Sequence, residues 1–93
     1  MKNIKSIIKI LKTLTNEHRL NIIQLLHTSK KDMCVGEISE TIGISQSLTS
    51  HQLRHLEEVD LIEGERIGQT VCYRFKKNEV SKKVIRIIQL LVS

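Results

Sequence analysis

The run SQSLTSHQLRHL, residues 45–56, places His51 and His55 four positions apart on a predicted helix, a spacing at which two imidazoles can share a metal ion. On a helical wheel His51 lies on a polar arc with Ser50 and Arg54, whereas His55 lies about 40° further round, at the edge of the apolar side. A metal ion shared by the two histidines would compete with the hydrogen bonds that the polar arc could make to a binding partner. We therefore expect no metal at this pair, and interpret His51 as a contact residue and His55 as a boundary residue.

The two cysteines, Cys34 and Cys72, are the other residues whose chemistry stands out. Two cysteines are too few for a disulfide framework, and neither belongs to a CxxC pair. Isolated cysteines are usually small buried hydrophobes, and this is the interpretation that the sequence favours. We expect both thiols to be reduced, as is usual in the cytoplasm.

The length of 93 residues predicts a single domain, residues 1–93, near the lower limit for folding around one apolar core. Hydrophobic residues make up 40% of the chain and charged residues 27%, which is typical of a globular protein. Lys5, Lys9 and Lys12 interrupt the N-terminal segment, and no apolar run approaches the roughly 18 residues of a membrane span. We expect neither signal peptide nor anchor, and predict a cytoplasmic protein with no membrane partner.

The charge of the chain favours a polyanionic partner. The net charge is +5 and the isoelectric point is about 9.5, values typical of small proteins that bind nucleic acid. Aromatic residues make up only 2% of the chain, whereas single strands are bound largely by stacking on aromatic side chains. Double-stranded DNA is therefore the favoured polyanion.

Apolar periodicity predicts helices, one short strand and a β-hairpin. Helices are expected over residues 3–14, from a Thr15 cap to the polar cluster at residues 28–32, over 36–43, from a Ser45 cap to residue 58, and over 78–92. Residues 33–35 form the candidate strand, and segments 61–68 and 69–75 form the hairpin, with Gly68 and Gln69 at its turn. The expected order is helix, helix, strand, helix, helix, hairpin, helix.

The third and fourth helices fit a helix-turn-helix pattern, because a tight glycine turn joins them and the second begins with small polar residues. Such residues let a helix approach base edges in the major groove. Gln46 can pair with adenine, and Ser47, Ser50 and His51 can contact bases or phosphates. The inner side of this helix is expected to hold Leu48, Gln52, Leu56 and Val59, with Thr49 and Leu53 at its margin.

The predicted hairpin adds a wing and completes a winged helix-turn-helix, α-α-β-α-α-β-β-α, a mainly helical fold with a small β-hairpin. Arg66, Lys76 and Lys77 are expected to reach backbone phosphates beside the groove. The candidate DNA-binding residues are Ser45, Gln46, Ser47, Ser50, His51, Arg54, Arg66 and Gln69.

The run MCVGEISETIGISQSLTSHQLRHLEEVDLIEGERIGQTVCYRF, residues 33–75, closely resembles the ArsR/SmtB family of bacterial winged-helix repressors, and LKTLTNEHRLNIIQLL resembles that family's second-helix region. The resemblance implies a homodimer that binds a palindromic operator through the helices beginning at Ser45. It also implies that the first and last helices form the dimer interface. Arg19 matches a position where the family often has arginine, and we expect it to form an intramolecular salt bridge.

The apolar stripes of residues 4–14 and 80–91 give a second reason to expect a dimer. A 93-residue domain has little capacity to cover both stripes, and exposed apolar patches of that size usually mark an interface. Pairing of the terminal helices across a two-fold axis buries both stripes. The same axis places two recognition helices about one DNA turn, roughly 34 Å, apart.

The family includes metal-released repressors, so the matching positions indicate whether a metal is expected. Cys34 and Glu37 match the family's CVCD or CVGD motif, but Gly36 replaces the second cysteine of the CVCD form. One thiolate and one carboxylate are an incomplete zinc shell, which normally has four ligands. The last helix contains no His, Asp or Cys between residues 80 and 93. We therefore expect no metal and no other cofactor.

Three alternatives remain at this point. Some family members respond to oxidants or reactive sulfur through a cysteine pair, and a winged helix commonly pairs its short strand with the second wing strand, which would bring Cys34 close to Cys72. A thiol-redox sensor is therefore one alternative, in which oxidation weakens operator binding. A metal-responsive sensor is the second, and a protein-interaction module is the third.

The absence of Asp and Glu from residues 45–56 favours DNA over a protein-interaction module. No motif combines a nucleophile, a base and an orienting acid, so we expect no enzyme activity. The sequence thus predicts a dimeric repressor, and it leaves the operator sequence and the inducer open.

Overall fold

The computed structural model describes residues 3–93, which form five α-helices and a small antiparallel sheet. The elements are α1 (Ile4–Leu14), α2 (Glu17–Thr28), β1 (Met33–Cys34), α3 (Val35–Ile42), α4 (Gln46–Glu58), β2 (Ile62–Ile67), β3 (Thr70–Phe75) and α5 (Glu79–Val92). This order confirms the predicted winged helix-turn-helix. Residues 1 and 2 of the predicted domain lie outside the described residues.

The start of α2 differs from the prediction by one residue. The Asn16 side chain accepts a hydrogen bond from the Arg19 N–H (3.0 Å), so Asn16 is the N-cap and the prediction of Thr15 was wrong. The Thr15 hydroxyl instead donates to the Lys12 carbonyl (2.9 Å) at the end of α1. Thr15 therefore stabilises the end of α1, and its neighbour Asn16 stabilises the start of α2.

The turn between α3 and α4 is set by Gly43, whose φ of 84° lies in the left-handed region that glycine adopts without a steric penalty. Its N–H donates to the Ser39 carbonyl (2.8 Å), which closes the end of α3. The Ser45 side chain then accepts a hydrogen bond from the Leu48 N–H (3.0 Å) and starts α4 where the sequence predicted. The helix-turn-helix thus has a defined cap on each side of its turn.

The strands form one antiparallel sheet in the order β1-β3-β2. A two-residue turn that begins at Gly68, with a positive φ of 64°, joins β2 to β3. Strand β1 pairs with β3 at two positions only, Met33 with Tyr73 and Cys34 with Cys72. The sheet therefore connects the start of α3 to the inner strand of the hairpin.

One apolar core joins the helices to the base of the hairpin. Its buried members are Leu14, Ile22, Ile23, Leu26, Ile38, Leu53, Leu56, Val59, Leu61, Ile62, Val84 and Ile85. On α4, Thr49 and Leu53 are fully buried, whereas Leu48 is half-buried. Gln52, Leu56 and Val59 are buried as predicted, but the buried side is centred roughly 50° further round the helix than predicted, toward Thr49 and Leu53. The reason is that α4 packs against α2, α3 and β2, which together cover more than one side of it.

Two helix faces keep large apolar side chains exposed. On α1 these are Ile4, Ile7, Ile8 and Leu11, each 41–49% exposed, and on α5 they are Ile87, Leu90, Leu91 and Val92, each 39–80% exposed. Contiguous apolar surface of this kind usually marks a site of association. No helix within residues 3–93 is both long enough and apolar enough to cross a bilayer.

Candidate nucleic-acid interface

The predicted contact residues of α4 share one exposed face. They are Ser45 at the N-cap and Gln46, Ser47, Ser50, His51 and Arg54 within the helix. The opposite face is buried in the core, so the orientation of α4 is fixed. Small hydrogen-bonding side chains beside the positive end of a helix dipole suit both base edges and phosphates.

Two partly buried hydrogen bonds from Arg19 of α2 connect α4 to the first two helices. Arg19 donates from Nη1 to Gln52 Oε1 (2.7 Å) and from Nε to the Thr13 carbonyl (2.7 Å). Gln52 is only 5% exposed, and Arg19 satisfies its carbonyl oxygen inside the fold. The expected salt bridge of Arg19 was wrong, since both of these acceptors are neutral. Gln52 is a polar residue on the apolar side of α4, and this was the signal in the sequence that it needs a buried hydrogen-bond partner.

The tip of the hairpin carries two further predicted contact residues. Arg66 lies at the end of β2 and Gln69 lies in the turn, and both are exposed. Neither takes part in an ion pair within the described part of the chain, so the Arg66 guanidinium is available to an external phosphate. The hairpin is therefore built as a wing with one basic side chain near its tip.

The wing also contains a charge cluster that sequence reasoning missed. Arg74 on β3 forms ion pairs with Asp32 (2.9 Å), Glu63 (3.3 Å) and Glu65 (2.7 Å). The hydrogen bonds that Arg74 donates to these carboxylates, that to Asp32 first, raise the pKa of Arg74. The cluster offsets two acidic residues of β2 that would otherwise repel DNA. Glu63 lies directly opposite Arg74 in the strand register, which the two-residue turn defines.

Lys76 and Lys77 do not lie beside Arg66. Strand β3 begins at the wing tip and ends at Phe75, and five residues of strand span about 17 Å. The Lys76 ammonium contacts Asp60 Oδ1 (2.6 Å), and this hydrogen bond is the main cause that raises the Lys76 pKa. The two lysines therefore lie apart from Arg66, and their contact with the DNA backbone stays a prediction.

The His51 and His55 rings meet edge to face. Their centroids are 4.8 Å apart and their Nε2 atoms are 3.4 Å apart. His51 is exposed and His55 is half-buried, in agreement with the predicted contact and boundary positions. Within residues 3–93, no group of three or more His, Cys, Asp or Glu side chains is placed to hold a metal ion.

The two cysteines form a disulfide, which corrects the favoured interpretation of two separate reduced thiols. Cys72 is buried in β3 at 2% exposure, whereas Cys34 is half-buried and forms the N-cap of α3. The Cys34 N–H donates to Glu37 Oε1 (3.1 Å). Cys34 and Glu37 are thus the pair that resembles a metal motif, and in this structure the Cys34 sulfur is bonded to Cys72 and the carboxylate caps a helix.

Tyr73, on the wing strand β3, is affected by two charged residues of α4. Burial raises the pKa of its phenol, the nearby Glu57 carboxylate raises it further, and the Arg54 guanidinium lowers it. Gly64 lies opposite Tyr73 in the register, and a Cβ at that position would approach the ring within 2.7 Å. The side chain of Tyr73 therefore occupies space beside Gly64 that only glycine leaves open.

The fold and the exposed face of α4 define a winged helix-turn-helix DNA-binding protein. The family profile described as bacterial regulatory protein, arsR family, matches residues 16–63. The chain therefore belongs to the ArsR/SmtB family of DNA-binding transcriptional regulators.

Two curated relatives support this assignment. The chain is 33% identical over 90 residues to the transcriptional activator HlyU of Vibrio cholerae, which covers 97% of this chain and 81% of that protein. It is 35% identical over 65 residues to the putative arsenical resistance operon repressor ArsR of Halobacterium salinarum. That match covers 70% of this chain and 50% of the relative, so the matched region spans half the length of the Halobacterium protein.

Two solved structures share the fold over nearly the whole chain. The structure of HlyU from Vibrio cholerae gives a TM-score of 0.80 at 30% identity and covers 99% of this chain and 98% of that one. The solution structure of the homodimeric winged helix-turn-helix domain of Mb0332 from Mycobacterium bovis gives a TM-score of 0.78 at 25% identity, and covers 95% and 79%.

Proposed function

We propose that the protein is a homodimeric repressor that binds a palindromic operator, with α4 of each protomer in the major groove. The observation that carries this proposal is the exposed face of α4, whose six polar residues from Ser45 to Arg54 include no acidic side chain. Phosphates beside the groove repel carboxylates, so a face without acidic side chains favours contact with DNA. The Arg19–Gln52 contact holds this face in place before DNA arrives.

Each contact residue has a proposed role that follows from its chemistry. Gln46 can bond an adenine edge in two places, and Ser47, Ser50 and His51 bond bases or phosphates. Ser45 lies at the N-terminus of α4, where backbone N–H groups favour a phosphate. On the flanks, Arg54, Arg66 and Gln69 contact the DNA backbone, which positions the protein without reading sequence.

The uncovered apolar faces of α1 and α5 support the homodimer. A second copy is the occupant that these faces fit, because an interface between identical faces buries apolar side chains of both copies at once. The relative Mb0332 is homodimeric, and its fold covers 95% of this chain. Two-fold symmetry then requires an operator with inverted half-sites about one DNA turn apart.

Repression, rather than activation or catalysis, is the mode of action that we infer. The relatives' names include both a repressor and an activator, and the ArsR of Halobacterium is described as an operon repressor. A winged helix that occupies an operator can block polymerase by its position on the DNA alone. We place its site of action in the cytoplasm, where bacterial DNA lies, and assign it no cofactor and no enzymatic role.

The proposal is tested by the salt dependence of binding to a duplex selected from a random pool. The logarithm of the affinity should fall linearly with the logarithm of the salt concentration, because Lys and Arg release counterions from several phosphates. Binding of single-stranded DNA of the same sequence should be much weaker. Equal binding of both strand forms, or an affinity independent of salt, would contradict the proposal.

The disulfide favours a second candidate function, control of operator binding by thiol oxidation, which depends on the first. Strand β1 and strand β3 share two paired positions, and Cys34–Cys72 is one of them. In the oxidised protein a covalent bond fixes the wing to the start of α3. In the reduced protein only non-covalent contacts hold β3 to β1 and α3, so the wing can adjust more readily to the DNA backbone.

A small disulfide can supply the oxidising equivalents. The Cys34 thiolate is the attacking group, because Cys34 is half-buried whereas Cys72 is buried. Its attack forms a mixed disulfide and releases one small thiolate; attack by the Cys72 thiolate on the Cys34 sulfur releases the second. Two protein thiols are oxidised, one small disulfide is reduced to two thiols, and the protons of the protein thiols pass to the leaving groups.

Operator affinity should fall about tenfold when the reduced protein is treated with oxidised glutathione, a coupling of ordinary size for two linked sites. Dithiothreitol should restore the affinity. The variant Cys34→Ser/Cys72→Ser should bind equally well under both treatments. Equal affinity of reduced and oxidised wild-type protein, or an equal response of the double variant, would rule out this control while leaving operator binding itself intact.

A further inference from the structure

A cavity of about 520 Å³ lies at the end of the sheet away from the wing tip. It is bounded by the α2–β1 loop, by the residues that end and follow β3, and by the first turns of α5. This volume falls within the range of small-molecule sites. The predicted DNA contacts of α4 and the wing tip do not line it.

Basic side chains form the rim of this cavity. Lys30, Lys31, Lys77 and Lys82 all line it and are exposed. Among residues 3–93 the first three make no ion pair, and Lys82 reaches Glu79 only at 3.8 Å on the exposed surface. Three uncompensated ammonium groups around one cavity create a local positive potential that attracts an anion.

The single carboxylate in the lining does not neutralise this potential. Asp32 is held by Arg74, which donates to both of its oxygens (3.3 and 2.9 Å). Lys76 is likewise occupied by Asp60. Arg74 and Lys76 of the lining are thus each engaged by carboxylates, whereas Lys30, Lys31 and Lys77 form no ion pair among residues 3–93.

The inner wall of the cavity is apolar. Leu26 and Ile85 line it at 4% and 9% exposure, and Phe75 lies beside them. The His27 ring packs edge to face on Phe75 with centroids 5.4 Å apart. A fully hydrated inorganic anion gains nothing from such a wall, whereas a ligand with an apolar body loses its contact with water there.

The cavity lies on the side of α5 opposite the exposed apolar face. On α5 it is lined by Ser81, Lys82 and Ile85, whereas the exposed apolar side chains Ile87, Leu90 and Leu91 point roughly 180° away around the helix. It also lies about 17 Å of strand from the wing tip, at the far end of β3. A small ligand therefore fits this site better than a second protomer or the duplex held by α4.

We propose that this cavity binds a small organic anion whose carboxylate or phosphate lies among Lys30, Lys31 and Lys77 and whose apolar body packs on Phe75. Such binding goes beyond the proposed repressor function and does not depend on it. Any effect of the ligand on operator affinity would depend on that function, because the cavity touches β3 and α5, the elements that carry the wing and the dimer face.

The test uses octanoate as the probe, with 1-octanol and inorganic phosphate as matched partial ligands. Phe75 is the only phenylalanine in the chain, so its ring signals in an NMR spectrum report occupancy without ambiguity. Octanoate should shift these signals in a saturable way at low ionic strength. Octanol, which lacks the charge, and phosphate, which lacks the apolar body, should both bind more weakly.

The variant Lys30→Ala/Lys31→Ala/Lys77→Ala should bind octanoate about tenfold more weakly, from three modest charge interactions at the surface. The control Lys5→Ala/Lys9→Ala/Lys83→Ala removes the same charge outside the cavity and should bind as the wild type does. These lysines are exposed, so folding should be unaffected.

Four results would overturn the proposal. They are unshifted Phe75 signals, equal binding of octanoate and octanol, binding of phosphate as tight as that of octanoate, and an equal loss of octanoate affinity in the control variant. A triple variant that keeps octanoate affinity but loses duplex affinity would assign the three lysines to DNA and also overturn it. Operator binding by the wild type is measured separately, so failure here leaves the repressor function untouched.

Discussion

Three amphipathic helices of this small fold have exposed faces of opposite character. The exposed face of α4 is polar, whereas those of α1 and α5 are apolar. The α4 face holds short polar and basic residues, whereas the α1 and α5 faces hold isoleucine, leucine and valine at 39–80% exposure. A face that meets a hydrated polyanion needs hydrogen-bond donors and no carboxylate. A face that meets its own copy needs apolar area. The composition of each exposed face thus indicates its partner.

The largest effect is expected from acidic substitutions on the exposed face of α4. Either Ser47→Glu or Ser50→Glu should lower operator affinity by about 100-fold or more, because like charges placed together in an interface cost several kcal/mol. Fluorescence anisotropy measures the affinity, and sedimentation should show an unchanged dimer. Ser6→Glu, on the side of α1 away from its apolar face, is the matched control and should bind normally. Normal binding by both α4 variants would show that this face does not enter the groove.

A charged substitution on the apolar face of α1 tests the role of that face in the dimer. Ile7→Asp should raise the dimer dissociation constant by roughly 100-fold, because the symmetric interface would then bury one unpaired carboxylate from each protomer. The matched control is Ile67→Asp at the wing, since Ile7 and Ile67 are exposed to the same degree, 49% and 50%. Sedimentation equilibrium of both variants decides the matter. Equal dimer stability in the two would place the interface elsewhere.

A smaller effect separates backbone contacts from base contacts. Arg66→Ala should weaken binding to all duplexes alike and lower the slope of log affinity against log salt by about one per protomer. Arg86→Ala removes an exposed arginine from α5 and should leave the slope unchanged. A loss confined to one operator sequence would instead mean that Arg66 reads a base.

The smallest effect tests how α4 meets the wing. Tyr73 is the only tyrosine, so the absorbance of tyrosinate reports its titration alone, with a midpoint above 10.0 because burial raises its pKa. Arg54→Gln should raise this pKa further, and Glu57→Gln should lower it. Since the folded pKa exceeds the unfolded one, the unfolded chain ionises first, and stability is lost as pH rises above 10.0 through the folded value. Shifts of the Tyr73 pKa in the opposite directions would show that Arg54 and Glu57 of α4 do not act on Tyr73 in this way.

Local patterns predicted the elements well because each pattern has a local cause. Ser45 starts α4 by capping its own first turn, and Gly43 and Gly68 supply the backbone conformations of two turns. The family model and the solved relatives confirm the predicted class. The exposed positions assigned to DNA are exposed as expected, while their contacts with DNA remain predictions.

The errors arose where partners come from distant parts of the chain. Thr49 and Leu53 are central to the core because three other elements cover α4, which a wheel of α4 alone does not show. Arg19 finds Gln52, 33 residues away, instead of a carboxylate. The Cys34–Cys72 bond joins positions 38 residues apart, and only the β1–β3 register brings them together. The lysines around the cavity likewise come from two separate segments.

The central claim is that two copies of the α4 face read DNA across a two-fold axis, and selection of bound duplexes from a random pool tests it most directly. The account predicts an enriched inverted repeat whose half-site centres lie about 10–10.5 base pairs, or a multiple of that spacing, apart. The Ser50→Glu variant should enrich nothing from the same pool. Enrichment of a single unrepeated site, or the same enrichment by Ser50→Glu, would contradict the claim.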